Sequence, residues 1–289
     1  MSGIMNMFVG GGGSLPFIVE YLILGGGGGG SGGGGGAGGY LEGTIAVPSG
    51  SYSLSIGAGG AFGQQTASNA TVGSNSYINS FIAYGGGYGA GTANAGGPGG
   101  SGGGASNSAD ATPRSGGTAT SGQGNAGGTA SFSTGWAGAG GGGAGTSAVG
   151  TSVSGYDTGE FAGAGGGLGG AGKSSSITGT ATVYGTGGQG YYSKTISNPE
   201  SNYTNAGGNM PANLGVGGGG SYKAASASNG WNGGSGVIII AYASSFPNLT
   251  SVGAGLICNG SGGNTTPDTA SRAGYKVYKF TSGSGTIAF

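Results

Sequence analysis

Gly167-Leu168-Gly169-Gly170-Ala171-Gly172-Lys173-Ser174 matches the phosphate-binding loop pattern letter for letter. That chemistry needs a buried strand before the loop and a helix after it, whose amino terminus faces the phosphate. Here residues 163–166, Gly-Ala-Gly-Gly, precede the match, and Ser175, Ser176, Ile177, Thr178 and Gly179 follow it. Neither flank supplies the required element, and a glycine-saturated chain generates such matches by chance. Gly29-Gly30-Ser31-Gly32-Gly33 and Gly99-Gly100-Ser101-Gly102-Gly103 imitate a nucleophile elbow. The chain contains no histidine, so a Ser–His–acid triad cannot be assembled within it. The same absence, with Cys258 as the single cysteine, removes the usual zinc sites. Asp157 and Glu160 are the one close carboxylate pair. They lack the alternating oxygen ligands of a calcium loop and read as two solvated acids rather than a glycosidase pair. The expectation is a non-enzymatic protein with no catalytic residues, no metal and no cofactor.

Composition narrows the class further. Seven acidic and seven basic side chains cancel, and no basic residue precedes Arg114. Neutralising phosphates needs clustered Lys and Arg, so nucleic acid is not an expected partner. The longest apolar run, Phe17 to Leu24, is interrupted by Glu20 and falls far short of the roughly 20 residues of a membrane span. Membrane insertion is not expected, and the amino terminus lacks the pattern of a secretory signal.

Glycine is 84 of the 289 residues and thirteen of the fifteen between Gly25 and Gly39. Tracts of Gly with Ala or Ser recur at residues 10–13, 25–39, 85–104, 138–145, 163–172, 215–220 and 233–236. Collagen is excluded, because a Gly-X-Y period is absent and there are eight prolines. Solid glycine runs point instead to left-handed extended helices with three residues per turn. Such helices have no internal hydrogen bonds, so each must bond its neighbours. One net hydrogen bond contributes about 0.5–1.5 kcal/mol. Fixing one backbone residue costs about 1–2 kcal/mol, glycine most of all. A glycine lattice alone is therefore close to neutral and needs a clamp.

Apolar strands supply that clamp. Val19-Glu20-Tyr21-Leu22-Ile23-Leu24 precedes the first long tract and Val237-Ile238-Ile239-Ile240-Ala241-Tyr242 follows the last. Tyr52, Leu54 and Ile56 alternate with Ser51, Ser53 and Ser55. Thr44 to Val47 is a short strand ended by Pro48, Ser76 to Tyr84 runs into Gly85, and Thr180 to Tyr184 is a weaker strand. No amphipathic helix is expected. The fold class is all-β and irregular: packed polyglycine helices flanked by short strands, with essentially no α-helix. The boundaries are an amino-terminal arm at 1–18, the glycine-rich domain at 19–243 with long end loops, and a small carboxy-terminal β appendage at 244–289. In that appendage Tyr275 to Thr281 and Thr286 to Phe289 form a hairpin across a turn at Ser282 to Gly285.

Long polar segments separate the tracts at residues 106–128, 146–161, 190–214 and 221–231. Their Tyr, Ser, Asn and Gly composition suits adaptable binding loops, where rigid aromatics give contact area at low entropic cost. Ser/Asn-rich turns that merely solubilise the rod ends are the plain alternative. The candidate contacts are Tyr84, Tyr88, Trp136, Tyr156, Tyr191, Tyr192, Tyr203 and Trp231.

With these residues in view, the chain resembles the glycine-rich domain of tailed-bacteriophage tail fibres and related virion proteins. The resemblance is carried in order by residues 19–24 into polyglycine, residues 50–60 (Gly-Ser-Tyr-Ser-Leu-Ser-Ile-Gly-Ala-Gly-Gly), residues 73–76 (Gly-Ser-Asn-Ser) and the closing residues 233–242. More distantly it is similar to the small tip adhesins of T-even-like phages, in which polyglycine rods form a sandwich and variable end loops meet the host receptor. Ala241 departs from the pattern, since members commonly carry a basic residue there. Residues 275–281 with 285–287 look like the segment that usually precedes the Val-Glu-Tyr-Leu strand, here placed last. Either the segment completes the sheet from the other end of the chain or it pairs with a neighbouring subunit; the second is the favoured expectation, with Tyr275, Val277, Tyr278, Phe280, Ile287 and Phe289 as assembly candidates. The resemblance implies a virion component, at a tail fibre or fibre tip, binding host surface polysaccharide or an outer-membrane protein and attached to other virion subunits. A head or tail decoration protein without receptor binding is the second expectation, and an ice-binding protein a remote third.

Overall fold

The computed structural model describes residues 17–64, 68–107, 112–132, 137–148, 151–153, 166–190, 209–221 and 229–289. Its strands are β1 (Phe17–Leu24), β2 (Tyr40–Val47), β3 (Ser51–Ser55), β4 (Ser76–Ile78), β5 (Phe81–Ala83) and β6 (Ser106–Asn107). They continue with β7 (Ala130–Phe132), β8 (Ala137–Gly138), β9 (Thr151–Val153), β10 (Lys173–Ser175) and β11 (Thr182–Tyr184). The last are β12 (Val237–Ala243), β13 (Ser251–Val252), β14 (Ile257–Cys258), β15 (Ser261–Gly262), β16 (Tyr275–Ser282) and β17 (Ser284–Ala288). No described residue is helical, and the protein is all-β.

Two sheets carry the side-chain core. One has the order β15-β14-β16-β12-β1-β2 and the other β13-β17-β3-β4-β5. Between them lie Val19, Ile23, Ile238, Ile240, Tyr242, Tyr278 and Phe280 from the first sheet, and Leu54 and Ile287 from the second. The outer face of the first sheet buries Leu22, Leu24, Ile239 and Val277 against Ile177 and Tyr184. Strand β12 is thus covered on both faces, which is why it reads as a continuous aliphatic run. Glu20, the one charge in β1, receives both guanidinium nitrogens of Arg272 at 2.6 and 2.9 Å.

The carboxy-terminal expectations need correction. Tyr275–Ser282 and Ser284–Ala288 do not pair with each other. β16 adds to β12, with Ile238 opposite Phe280, while β17 adds to β3, with Ile287 opposite Tyr52. Gly283, at φ 94°, takes the left-handed conformation at the corner between the two sheets. Residues 244–289 are therefore no appendage, because each sheet gains strands from them. Val277, Tyr278, Phe280 and Ile287 are buried in this chain's own core, and Phe289 packs against it. Tyr275 is half-buried beside Arg272. Pairing of these six residues with a neighbour is overturned, because the chain's own strands occupy both partners' positions. At the other end, β1 already includes Phe17 and Ile18, so the arm boundary at 18 falls inside a strand. Ser76 to Tyr84 divides into β4 and β5 around Asn79, at φ 48°, whose Oδ1 accepts from Ser53 N–H at 2.8 Å.

The glycine tracts form rods that continue the strands. Along the first rod, Gly25 and Gly28 donate to Gly39 and Gly36, Gly26 and Gly29 to Ser74 and Thr71, and Gly27 and Gly30 to Gly234 and Trp231. The carbonyls of Gly26 and Gly29 accept from Gly86 and Gly89, those of Gly27 and Gly30 from Gly60 and Gly63, and those of Gly28 and Ser31 from Gly218 and Ser221. Residues three apart share a neighbour and successive residues face different ones, which is the three-residue turn of an extended helix. The N–H bonds reach antiparallel rods and the C=O bonds parallel ones.

Room, rather than torsional freedom, requires glycine here. None of Gly25–Gly39 has positive φ. A Cβ on Gly27 would sit 2.0 Å from the Val216 carbonyl oxygen, and one on Gly28 2.0 Å from that of Gly87.

Candidate functional site

The rods have two ends with different chemistry. At the proximal end, β1 runs into the first rod and the next rod returns into β2. At the distal end the chain reverses at Ser31, whose N–H donates to Gly33 C=O at 3.0 Å and whose Oγ donates to Ser68 C=O at 2.9 Å. Level with that turn, Gly63 donates to Gly30, Ser221 to Ser31, Gly230 to Gly63, and Gly32 and Gly33 both to Ala90. Further across the lattice Gly34 donates to Ala139, Gly167 to Gly138 and Gly190 to Gly167, while Asn107 pairs with Ala137.

These contacts place Gln64, Ser68, Asn107, Ala137, Gly166, Gly190, Ser221 and Asn229 at the same end. They border the stretches 65–67, 108–111, 133–136, 154–165, 191–208 and 222–228, which lie outside the described residues. Asparagine side chains fasten this end. Asn69 Oδ1 accepts from Gly91 N–H at 2.8 Å and from Asn94 Nδ2 at 3.3 Å. Asn232 Oδ1 accepts from Phe62 N–H at 2.7 Å, and its Nδ2 donates to Asn209 Oδ1 at 2.7 Å. Each amide replaces a backbone partner where a rod runs out of neighbours.

The three described aromatic candidates, Tyr84, Tyr88 and Trp231, are not brought together. Trp136, Tyr156, Tyr191, Tyr192 and Tyr203 lie outside the described residues. Trp231 stands at the distal end, half-buried, with its ring beside Gly219. Tyr88 lies along a rod with its ring over Gly97, where a Cβ would come within 2.3 Å of it, so its position is that of a packing wedge. Tyr84 is 43 % exposed but sits at the proximal end, where Gly39 donates to its carbonyl.

Sequence reasoning missed the polar residues that fasten the rods. Gln123 is the clearest case. Its backbone carbonyl accepts from Tyr40 N–H at 2.9 Å, its Oε1 accepts from Tyr84 N–H at 2.9 Å, and its Nε2 donates to Ile82 C=O at 2.8 Å. One side chain thus imitates a strand along β5. Nothing in Ser121-Gly122-Gln123-Gly124 distinguishes this glutamine from a solvated one.

Titratable groups in the core are held in their uncharged forms. Burial pushes the Cys258 thiol up to about 12, so it is neither a nucleophile nor a metal ligand near neutrality. Burial, then the hydrogen bond to Glu42, raises the Tyr40 phenol. Lys173, from the phosphate-loop look-alike, instead lies 4.7 Å over the Tyr40 ring at the start of β10. Among the described residues no three His, Cys, Asp or Glu side chains gather as a metal cage. No helix among them is long and apolar enough to cross a membrane.

Fold and site together define a class: an all-β protein in which a side-chain sandwich clamps a lattice of polyglycine rods. The chain belongs to the glycine-rich domain family, whose model matches residues 16–243. No curated protein and no solved structure matches it.

Proposed function

We propose that the protein is a non-enzymatic virion component of a tailed bacteriophage, carried at a tail fibre or its tip, and that it meets the host surface with the distal end of its rods. One observation carries the reading: Gln64, Ser68, Asn107, Ala137, Gly166, Gly190, Ser221 and Asn229, each bordering a stretch outside the described residues, gather at the end opposite the sandwich. A lattice bonded in every direction is a stiff platform, because bending one rod breaks bonds to several neighbours. Connections based on it start from fixed positions, so less ordering entropy opposes binding. Their Tyr, Ser and Asn content suits a surface polysaccharide or an outer-membrane protein. The resemblance to phage fibre domains supports the same assignment.

The test is adsorption. Labelled protein should bind host cells and compete with phage. The double substitution Tyr191→Ala and Tyr192→Ala should reduce binding while leaving the melting temperature within a degree or two of wild type. Protein that labels virions but never cells would assign it instead to tail or head decoration. Immunogold labelling of intact particles locates it in either case.

A further inference from the structure

The six-stranded sheet ends at β2, and part of that edge is open. Tyr40 N–H donates to Gln123 C=O, so it faces away from β1. Gly25 donating to Gly39 sets the same phase, since odd-numbered positions of β2 then bond β1. By antiparallel alternation the N–H and C=O groups of Glu42, Thr44 and Ala46 point outward as well. Among the described residues no backbone group bonds them. Gln123 closes the β5 edge and the first residue of β2, and there the cover stops.

Edges of this kind normally carry a guard such as lysine, proline or a bulge. Residues 42–47, Glu-Gly-Thr-Ile-Ala-Val, carry none, and Pro48 comes just after. The single charge is occupied, because the Glu42 carboxylate accepts from the Tyr40 hydroxyl and from Ser175 Oγ. Beside the edge, an apolar cleft of about 290 Å³ opens among Tyr21, Ile45, Val47, Ile78 and Phe81. On the other face Ile18 is 58 % exposed.

We propose that two copies of the chain pair through this edge, β2 against β2, antiparallel about a two-fold axis at Thr44. The occupant follows from the edge's own sequence, which is complementary to itself in that register. Thr44 faces Thr44 of the second copy, a favourable cross-strand pair. Glu42 faces Ala46, so no like charges meet. Ile45 faces Gly43, where the missing side chain leaves the Tyr21 ring uncovered; a Cβ there would lie 2.9 Å from the Tyr21 hydroxyl. The isoleucine of each copy thus covers the ring of the other and extends the apolar cleft across the axis. Each outward residue donates one backbone bond and accepts one, completing the edge that Gln123 leaves open. This surface belongs to the sandwich end, so it stands or falls independently of receptor binding at the distal end.

The experiment is sedimentation equilibrium on the full chain with three variants. Wild type should show a concentration-dependent dimer. Thr44→Cys should give a disulfide-linked dimer on mild oxidation, since hydrogen-bonded cross-strand partners lie about 5.5 Å apart at Cα, within bridging range. Ser261→Cys, exposed on β15 at the opposite edge of the same sheet, should not. Thr44→Glu should weaken dimerisation at least tenfold without changing the far-ultraviolet spectrum, because Arg272 already neutralises the neighbouring Glu20 and spares the monomer. A monomer at every concentration overturns the proposal, including the case in which residues 1–16 or a strand of another protein take the edge. So does a dimer that ignores Thr44→Glu and in which the Thr44→Cys variant stays unlinked.

Discussion

Ser76 Oγ donates to the Leu24 carbonyl at 2.7 Å and accepts from Gly57 N–H at 2.9 Å. The serine is fully buried where β1 becomes a rod, where β3 becomes another and where β4 begins. One hydroxyl therefore joins both sheets to the lattice. Ser76→Ala removes one donor from the Leu24 carbonyl and leaves the Gly57 amide without its partner, and a buried group left unsatisfied costs about 1–3 kcal/mol. Chemical denaturation should show the midpoint falling with the slope unchanged.

Glycine in the rods is required by contact distance. Gly27→Val places a branched side chain where even a Cβ meets the Val216 carbonyl oxygen at 2.0 Å. The variant should fail to fold, or should unfold at a far lower temperature. Gly262→Ala is the control: it is exposed, and its Cβ would find nothing nearer than 3.4 Å. That change should stay within about 0.5 kcal/mol of wild type. Expression and calorimetry of the two variants separate a lattice requirement from a general intolerance of glycine replacement.

Gln123→Ala removes the side-chain bonds to Ile82 and Tyr84 but keeps the backbone bond to Tyr40. Amide hydrogen exchange should accelerate at Tyr84 by at least tenfold and change little at Tyr40. Equal acceleration at both amides would mean that the whole 121–123 turn depends on the side chain.

Above about pH 5 the pH dependence should be one-sided. The Tyr40, Tyr184, Tyr242 and Tyr278 phenols are all raised, each by burial first. A raised acid binds its proton more tightly folded than unfolded. Its contribution is complete below the unfolded value, near 10, and is lost as pH rises through the folded value. With no histidine in the chain, stability should be flat between about pH 5 and 9 and fall steeply above about pH 10. Denaturation midpoints across that range check the prediction.

Much of the fold was legible because it follows from local constraints. The aliphatic run of β12 and the alternation of Tyr52, Leu54 and Ile56 show burial in their spacing. The solid glycine of residues 25–30 and 32–36 permits close rod packing and little else. The short strands β6 to β9 escaped notice, since two or three residues such as Ser106-Asn107 carry no periodicity. Asn69, Asn232 and Gln123 escaped for a different reason: an amide that fastens a rod and one that faces water are the same residue.

By itself the amino-acid sequence determined the materials: strands from aliphatic spacing, rods from missing Cβ atoms, and no imidazole for acid–base work. Tertiary structure alone decided which rod bonds which, because a glycine N–H carries no mark of its partner. It likewise sent β16 and β17 to different sheets. Tyr275 to Phe289 reads as a hairpin until Gly283 turns the chain across the core and two vacant strand positions, beside β12 and beside β3, accept its halves. Local preference sets what a segment can become, whereas the partner it finds depends on surfaces built by residues far away in the chain.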